Sequence, residues 1–144
     1  MKRIFDLLLG VVMLALLITP LLLIFIALFI SSKDSTLYWS NRIGRNNAIF
    51  KMPKFRSMSS DAPTVATHLI DNTSSYLSPL GSFLRLSSLD ELPQLFSVLK
   101  GDMSFVGPRP ALYNQDDLIT LRTEKGVDKL LPGITGWAQV NGRD

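Results

Sequence analysis

The hydrophobic pattern divides the chain at residue 31. From Ile4 to Ile30 the sequence IFDLLLGVVMLALLITPLLLIFIALFI is apolar on all sides, with one charge at Asp6 and none from Leu7 onward. A run of this length suits a helix that enters a bilayer core. After Ser31 the pattern turns polar enough for a water-facing domain. Leu37, Trp39 and Ile43, a turn at Arg45-Asn46-Asn47, then Ile49, Phe50 and Phe55 predict a short β-hairpin. Residues 57–78 are rich in Ser, Thr, Asp and Asn and read as a mobile loop, with a lid as one use. Leu80, Phe83 and Leu84 predict one face of a short helix, suited to a membrane surface. Leu92, Leu95, Phe96 and Leu99 are spaced i, i+3, i+4, i+7 and predict a single buried helical face ended by Gly101. Another helix is predicted around Asp116–Lys125.

Charge changes the reading of the apolar run. Lys2 and Arg3 precede it, and Lys33, Arg42 and Arg45 follow it. Basic flanks favour the cytoplasmic side, so both ends read as cytoplasmic. A helix that enters, bends and returns satisfies this, and Thr19-Pro20 lies mid-run, where proline removes a backbone donor and favours a kink. The Thr19 hydroxyl can satisfy a freed carbonyl. Many spanning helices also carry proline, so these residues alone leave re-entrant and spanning readings level. A cleaved signal peptide is the third reading, but SSKDSTLYW offers no small-residue cleavage site.

Composition narrows the chemistry. The absence of cysteine excludes disulfides, thiol catalysis and zinc–thiolate sites. The single histidine, His68, sits in a polar stretch and makes a poor start for a Ser-His-Asp triad. Net charge is only +3, with no dense basic run or aromatic ladder, so nucleic acid is not an expected partner. Enzymatic work would fall to carboxylates, lysines and arginines.

Residues 87–110, SSLDELPQLFSVLKGDMSFVGPRP, concentrate such groups. Pro93 is tolerated only in a first helical turn, which places the expected helix start near Leu89 or Asp90. Ser88-Leu89-Asp90-Glu91 matches a capping box, and acids suit the positive end of a helix dipole. The same two carboxylates can instead serve a site: one binding Mg²⁺ or attacking phosphorus, the other orienting a partner. Arg109, between two prolines, is either a solvated turn residue or a stiff bidentate phosphate ligand. Lys54 and Arg56, two apart on the second hairpin arm, point the same way. They read equally as a solvated face or as a diphosphate clamp.

KFRSM, LRLSSLDELPQLFSVLKGDMSFVGPRP and PGITGWAQVNGR together resemble the signatures of bacterial sugar transferases, the monotopic, PglC-like polyprenyl-phosphate phosphoglycosyl transferases. The resemblance covers nearly the whole chain. It implies transfer of a phosphosugar from a UDP-sugar to undecaprenyl phosphate with release of UMP, a Mg²⁺ requirement, and a ping-pong route through an aspartyl phosphosugar. It implies Asp90 as nucleophile and metal ligand, Glu91 as its support, and Lys54, Arg56, Arg85, Arg109 and Arg143 as substrate-binding residues. It also implies a re-entrant helix broken at Thr19 and Pro20, on the cytoplasmic face of the bacterial inner membrane and in contact with its lipid. Asn47 stands where the family often has glycine, and Ser40 where it often has glutamine. Family members continue past VNGR, so a truncated C-terminus is expected.

The expected fold is therefore α+β: a re-entrant membrane helix over 1–31, then a small, mainly helical catalytic domain over 32–144 with a short β-hairpin, incomplete at its C-terminus. The competing classes are a non-catalytic membrane-anchored scaffold and a lipid-phosphate hydrolase. No motif reports on the sugar.

Overall fold

A computed structural model describes residues 1–31, 34–62 and 76–142. His68, Lys33, Arg143 and most of the loop expected over 57–78 lie outside the described residues. The elements run α1 (Lys2–Ser31), β1 (Leu37–Ile43), β2 (Ile49–Phe55), α2 (Pro79–Leu86), α3 (Gln94–Lys100), β3 (Ser104–Val106), α4 (Asp116–Glu124), β4 (Gly133–Thr135) and α5 (Trp137–Asn141). Helices and two small sheets mix as the α+β expectation required.

The chain's apolar run forms one helix, and one stripe of it is seated on the rest of the molecule. Asp6, Gly10, Leu21 and Leu28 are buried, and Leu14, Leu17 and Ile24 pack partly against the same core. These positions recur every three or four residues, which is one face of a helix. At thirty residues and a rise of about 1.5 Å each, α1 is about 45 Å long. Its opposite face, including Leu8, Leu16, Leu23, Phe29 and Ile30, is exposed. The expected break at Thr19-Pro20 is not an interruption: α1 continues through both residues with Pro20 inside it.

The first end of α1 is pinned by polar bonds. Arg3 donates to the carbonyls of Val98 and Leu99 at 2.6 and 2.7 Å, at the end of α3. Lys2 donates to Val106 O at 2.8 Å. Asp6 Oδ1 accepts from the Ser104 hydroxyl and from Phe105 N–H at 3.0 and 3.1 Å. At Gly10 the helix passes so near Leu99 that a Cβ would lie 2.8 Å from a Leu99 methyl.

β1 and β2 form the expected hairpin, antiparallel from Leu37↔Phe55 to Ile43↔Ile49. Asn46 and Asn47 take left-handed φ of 55° and 58° in the turn, a conformation asparagine tolerates. Alternation sends Tyr38, Ser40 and Arg42 to the same face as their partners Lys54, Met52 and Phe50. Phe50 and Met52 pack with Val98 and Met103 in one core cluster. Phe55 joins Leu84 and α1 in the other. β3 and β4 pair in parallel, Ser104↔Gly133 and Val106↔Thr135. There Gly107 and Gly133 touch backbone to backbone, and a Cβ on either would strike the other strand's main chain.

Three local expectations are corrected. Residues Leu89–Glu91 form a separate 3₁₀ turn, and α3 begins only after Pro93. Ser88 adopts a left-handed φ of 58° and makes no side-chain cap, and the Glu91 carboxylate of the expected capping box turns instead to Lys54. Of the predicted face, Leu92, Leu95 and Leu99 are buried or part-buried and Phe96 is not. Gln94, Leu95, Ser97 and Val98 are buried, while Phe96 is 51% exposed, since the hairpin and α1 cover two sides of α3 and leave Phe96 on the third. In α2, Leu84 is buried and Leu80 packs beside it, but Phe83 points outward.

Candidate active site

The 3₁₀ turn, the hairpin and the loop after β3 meet at a cleft of about 800 Å³. Asp90 and Glu91 occupy its floor. Lys54 reaches from β2 to Glu91 Oε1 at 2.7 Å, and Arg109 approaches the same oxygen at 3.4 Å. Burial is the largest influence on Glu91 and pushes its carboxyl up. The Lys54 cation and its hydrogen bond, with Arg109 and Gln94, outweigh it and hold the group below the usual carboxylate range. Asp90 differs. Burial dominates and raises its carboxyl, against the pull of Lys54 and Arg85 and with the push of Glu91. Adjacent carboxylates are thus driven in opposite directions, a pattern that separates two roles within one site.

The other predicted cations line the same cleft. Arg56 donates to the Ser35 carbonyl and hydroxyl at 2.9 and 2.8 Å and lies 5.7 Å over the Tyr38 ring. Arg85 reaches Met58 Sδ at 2.9 Å. Lys54, Arg56, Arg85 and Arg109 therefore converge with Asp90 and Glu91, whereas Arg143 falls outside the described residues. Arg42 is the lining cation that sequence reasoning missed. Its position after the apolar run marks it only as a flanking charge, although strand alternation places it on the Lys54 face. Burial, then repulsion from Arg109, lowers it to about 10.

Five cationic side chains, Arg42, Lys54, Arg56, Arg85 and Arg109, face two carboxylates among the described lining residues. That surplus suits a ligand with several negative charges. Met13 and Leu17 of α1, with Leu92, Leu95, Phe105 and Ile134, give the cleft an apolar wall. A phosphate-bearing ligand with a long apolar chain matches both halves. No cluster of three or more metal-ligating side chains occurs among the described residues. Mg²⁺, however, needs only one or two carboxylates when substrate phosphates complete its shell, and a buried carboxylate such as Asp90 fits that donor set.

The profile of the family described as bacterial sugar transferase matches residues 1–144. The chain belongs to this family. The bacterial sugar transferase match spans α1 as well as the cleft. Among curated relatives, the chain is 40% identical over 147 residues to an undecaprenyl-phosphate glucose phosphotransferase of Komagataeibacter xylinus, covering 98% of this chain and 28% of that protein. It is 38% identical to the uncharacterized sugar transferase EpsL of Bacillus subtilis, over 100% of this chain and 70% of the relative. It is likewise 38% identical to a UDP-glucose:undecaprenyl-phosphate glucose-1-phosphate transferase of Escherichia coli, over 99% of this chain and 31% of the relative. The chain thus spans between 28% and 70% of the length of these proteins.

Proposed function

We propose that this chain transfers a phosphosugar from a UDP-sugar to polyprenyl phosphate, with undecaprenyl phosphate as the acceptor and UMP as the leaving product. The observation that carries the reading is the split dyad: Glu91 is held by Lys54 and Arg109, while Asp90 stands beside it in a cation-rich cleft walled by α1. In the first step an Asp90 carboxylate oxygen attacks the sugar-bearing phosphorus. The bond from that phosphorus to the UMP oxygen breaks, and UMP leaves with the electron pair. In the second step an oxygen of the acceptor phosphate attacks the same phosphorus and frees Asp90. Glu91 keeps Lys54 in place, and Arg109, with Lys54, Arg56 and Arg85, offsets phosphate charge. Asp90 is the residue that would hold Mg²⁺, whose contribution when bound is neutralisation of phosphoryl oxygens. Arg143 joins the substrate-binding set through the family signature alone.

The same reading makes the protein monotopic, on the cytoplasmic face of the inner membrane. Its support is that α1 touches one domain along its length, from Arg3 at one end to Leu28 near the other. A helix crossing to the far side would lose one set of these contacts.

The test is UMP release by the purified chain from a panel of UDP-sugars, with Mg²⁺ and polyprenyl phosphate. UMP formation is expected, and without acceptor a phosphosugar should remain on Asp90, detectable by mass spectrometry. Release of free sugar phosphate without acceptor would point to a hydrolase, and no UMP from any donor would overturn the proposal.

A further inference from the structure

The loop Gly107-Pro108-Arg109-Pro110-Ala111 has two prolines and so lacks two of its own N–H donors. Its carbonyls are held from outside instead. Pro108 O accepts from Gly133 N–H of β4 at 2.9 Å. Arg109 O accepts from Arg122 Nη1 of α4 at 2.7 Å. Pro110 O accepts from Arg42 Nη1 of β1 at 3.2 Å. Ala111 O accepts from Ile43 N–H at 2.9 Å. Four successive carbonyls are thus tied to three separate elements.

We infer that Arg42 and Arg122 are positioning residues that aim the Arg109 guanidinium at a phosphate in the cleft. The assignment rests on the proposed function for the identity of that phosphate. Arg42 has the shape this requires. Its Nε donates to Ser40 Oγ at 3.0 Å while its Nη1 holds Pro110, a two-point geometry that a planar fork supplies and an ammonium does not. Ser40 is buried, so the brace is fixed at its root. Arg122 comes from a helix that buries none of its residues, yet its side chain is half-buried and burial lowers its guanidinium. Side chains of α4 meet other elements at this bond and at the Thr123 hydroxyl, which accepts from Asn47 at 2.9 Å. Ile119, part-buried three residues before Arg122, lines a small pocket with Arg122, Pro108 and Pro110, so α4 packs against the loop that Arg122 holds. Arg109 itself reaches only to 3.4 Å from Glu91, too long to fix its direction alone.

The experiment measures pyrophosphate binding by calorimetry and UDP-sugar kinetics in parallel, for wild type, Arg42→Lys, Arg122→Gln, Arg109→Ala and the two doubles with Arg109→Ala. Each brace variant should weaken pyrophosphate binding and kcat/KM by about tenfold to a hundredfold, as a misplacement near 1 Å does. In the Arg109→Ala background neither should cause further loss, because the group they aim is gone. Arg122→Lys, which still carries a donor for Arg109 O, should recover most of the binding and covers the case of a poorly folded Arg122→Gln. Equal losses with and without Arg109 would overturn the inference, as would unchanged binding in both single variants. Pyrophosphate bound by wild type with the expected epistasis, but without UMP release, would leave the braces standing and sink the catalytic reading. Wild type that binds no pyrophosphate would overturn both.

Discussion

Lys54→Met tests the split dyad directly, since methionine keeps an unbranched apolar stem and removes the charge. The Lys54–Glu91 contact is 2.7 Å, and the two side chains are only 15% and 22% exposed. Removing one partner of a buried pair costs about 3–5 kcal/mol, because the remaining charge is left uncompensated. Two features reduce this. Arg109 remains near the same oxygen, and burial, outweighing Glu91, lowers Lys54 and so already disfavours its charge. The expected loss is therefore about 2–3 kcal/mol, or about 4–12 °C in Tm for a chain of this size. Its pH dependence carries the sharper test. Glu91 is depressed in the folded chain, so its stabilising contribution is present above the ordinary carboxylate range and lost as pH falls through the depressed value. The Tm gap between wild type and variant should be widest near neutral pH and shrink in acid. Thermal unfolding in detergent across that range measures it. A gap that stays constant, or none at neutral pH, would show that Glu91 does not depend on Lys54 and would refute the reasoning.

Asp90→Asn should abolish UMP release while Tm at neutral pH equals or exceeds that of wild type. The raised carboxyl of Asp90 makes its ionised form a net cost to folding above the ordinary carboxylate range, and asparagine removes that cost; substantial turnover by this variant would remove Asp90 as nucleophile. In wild type the acid limb of kcat/KM should lie above the ordinary aspartate value, and Lys54→Met should move it higher still, since Lys54 opposes the rise; a limb unmoved by that substitution would detach Asp90 from the rate. Arg109→Lys keeps the charge and loses the fork, so turnover should fall by about a hundredfold with little change in Tm; unaltered kinetics would return Arg109 to an ordinary turn. Lys2→Cys and Asp34→Cys, each probed with an impermeant reagent outside intact cells, should both stay protected; labelling at position 2 alone would favour a spanning helix.

Much of the site is legible in the sequence because its signals are local. The dyad sits beside Pro93, the Arg109 loop is marked by its prolines, and period-two spacing relates Lys54 to Arg56. The hairpin is legible from its Asn-Asn turn. Long-range pairing is not. Nothing near residue 42 announces Pro110, and nothing near residue 122 announces Arg109, since these bonds join positions 68 and 13 apart in sequence. One position of the α3 face, Phe96, is misread for the same reason. The i, i+3, i+4, i+7 pattern is genuine, but which residues it buries depends on two covering elements, and α1 is one of them. Membrane-length apolarity conceals that role, because a helix apolar on every side carries no hint of which stripe is seated.

The ends of α1 show why topology and fold are hard to separate here. Lys2 and Arg3 read as orientation signals because basic residues favour the cytoplasmic side. In the folded chain they also donate to carbonyls at Val106, Val98 and Leu99. Arg3 lies at the C-terminus of α3, next to the left-handed Gly101 cap, where a cation meets both orphan carbonyls and the negative end of the helix dipole. Asp6, the one charge within the apolar run, is 2% exposed and is tied to Ser104 and Phe105. A carboxylate at a bilayer centre costs about 2.5–3.5 kcal/mol on an insertion scale; the bonds to β3 offset part of such a cost through Oδ1, while Oδ2 is buried without a hydrogen-bond partner among the described residues. β3 leads directly into the Arg109 loop, so the charge that is out of place in a membrane span sits at the junction between the helix and the cleft. In the proposed monotopic arrangement, one set of bonds both keeps the first turn of α1 on the domain's side and seats the strand that presents Arg109.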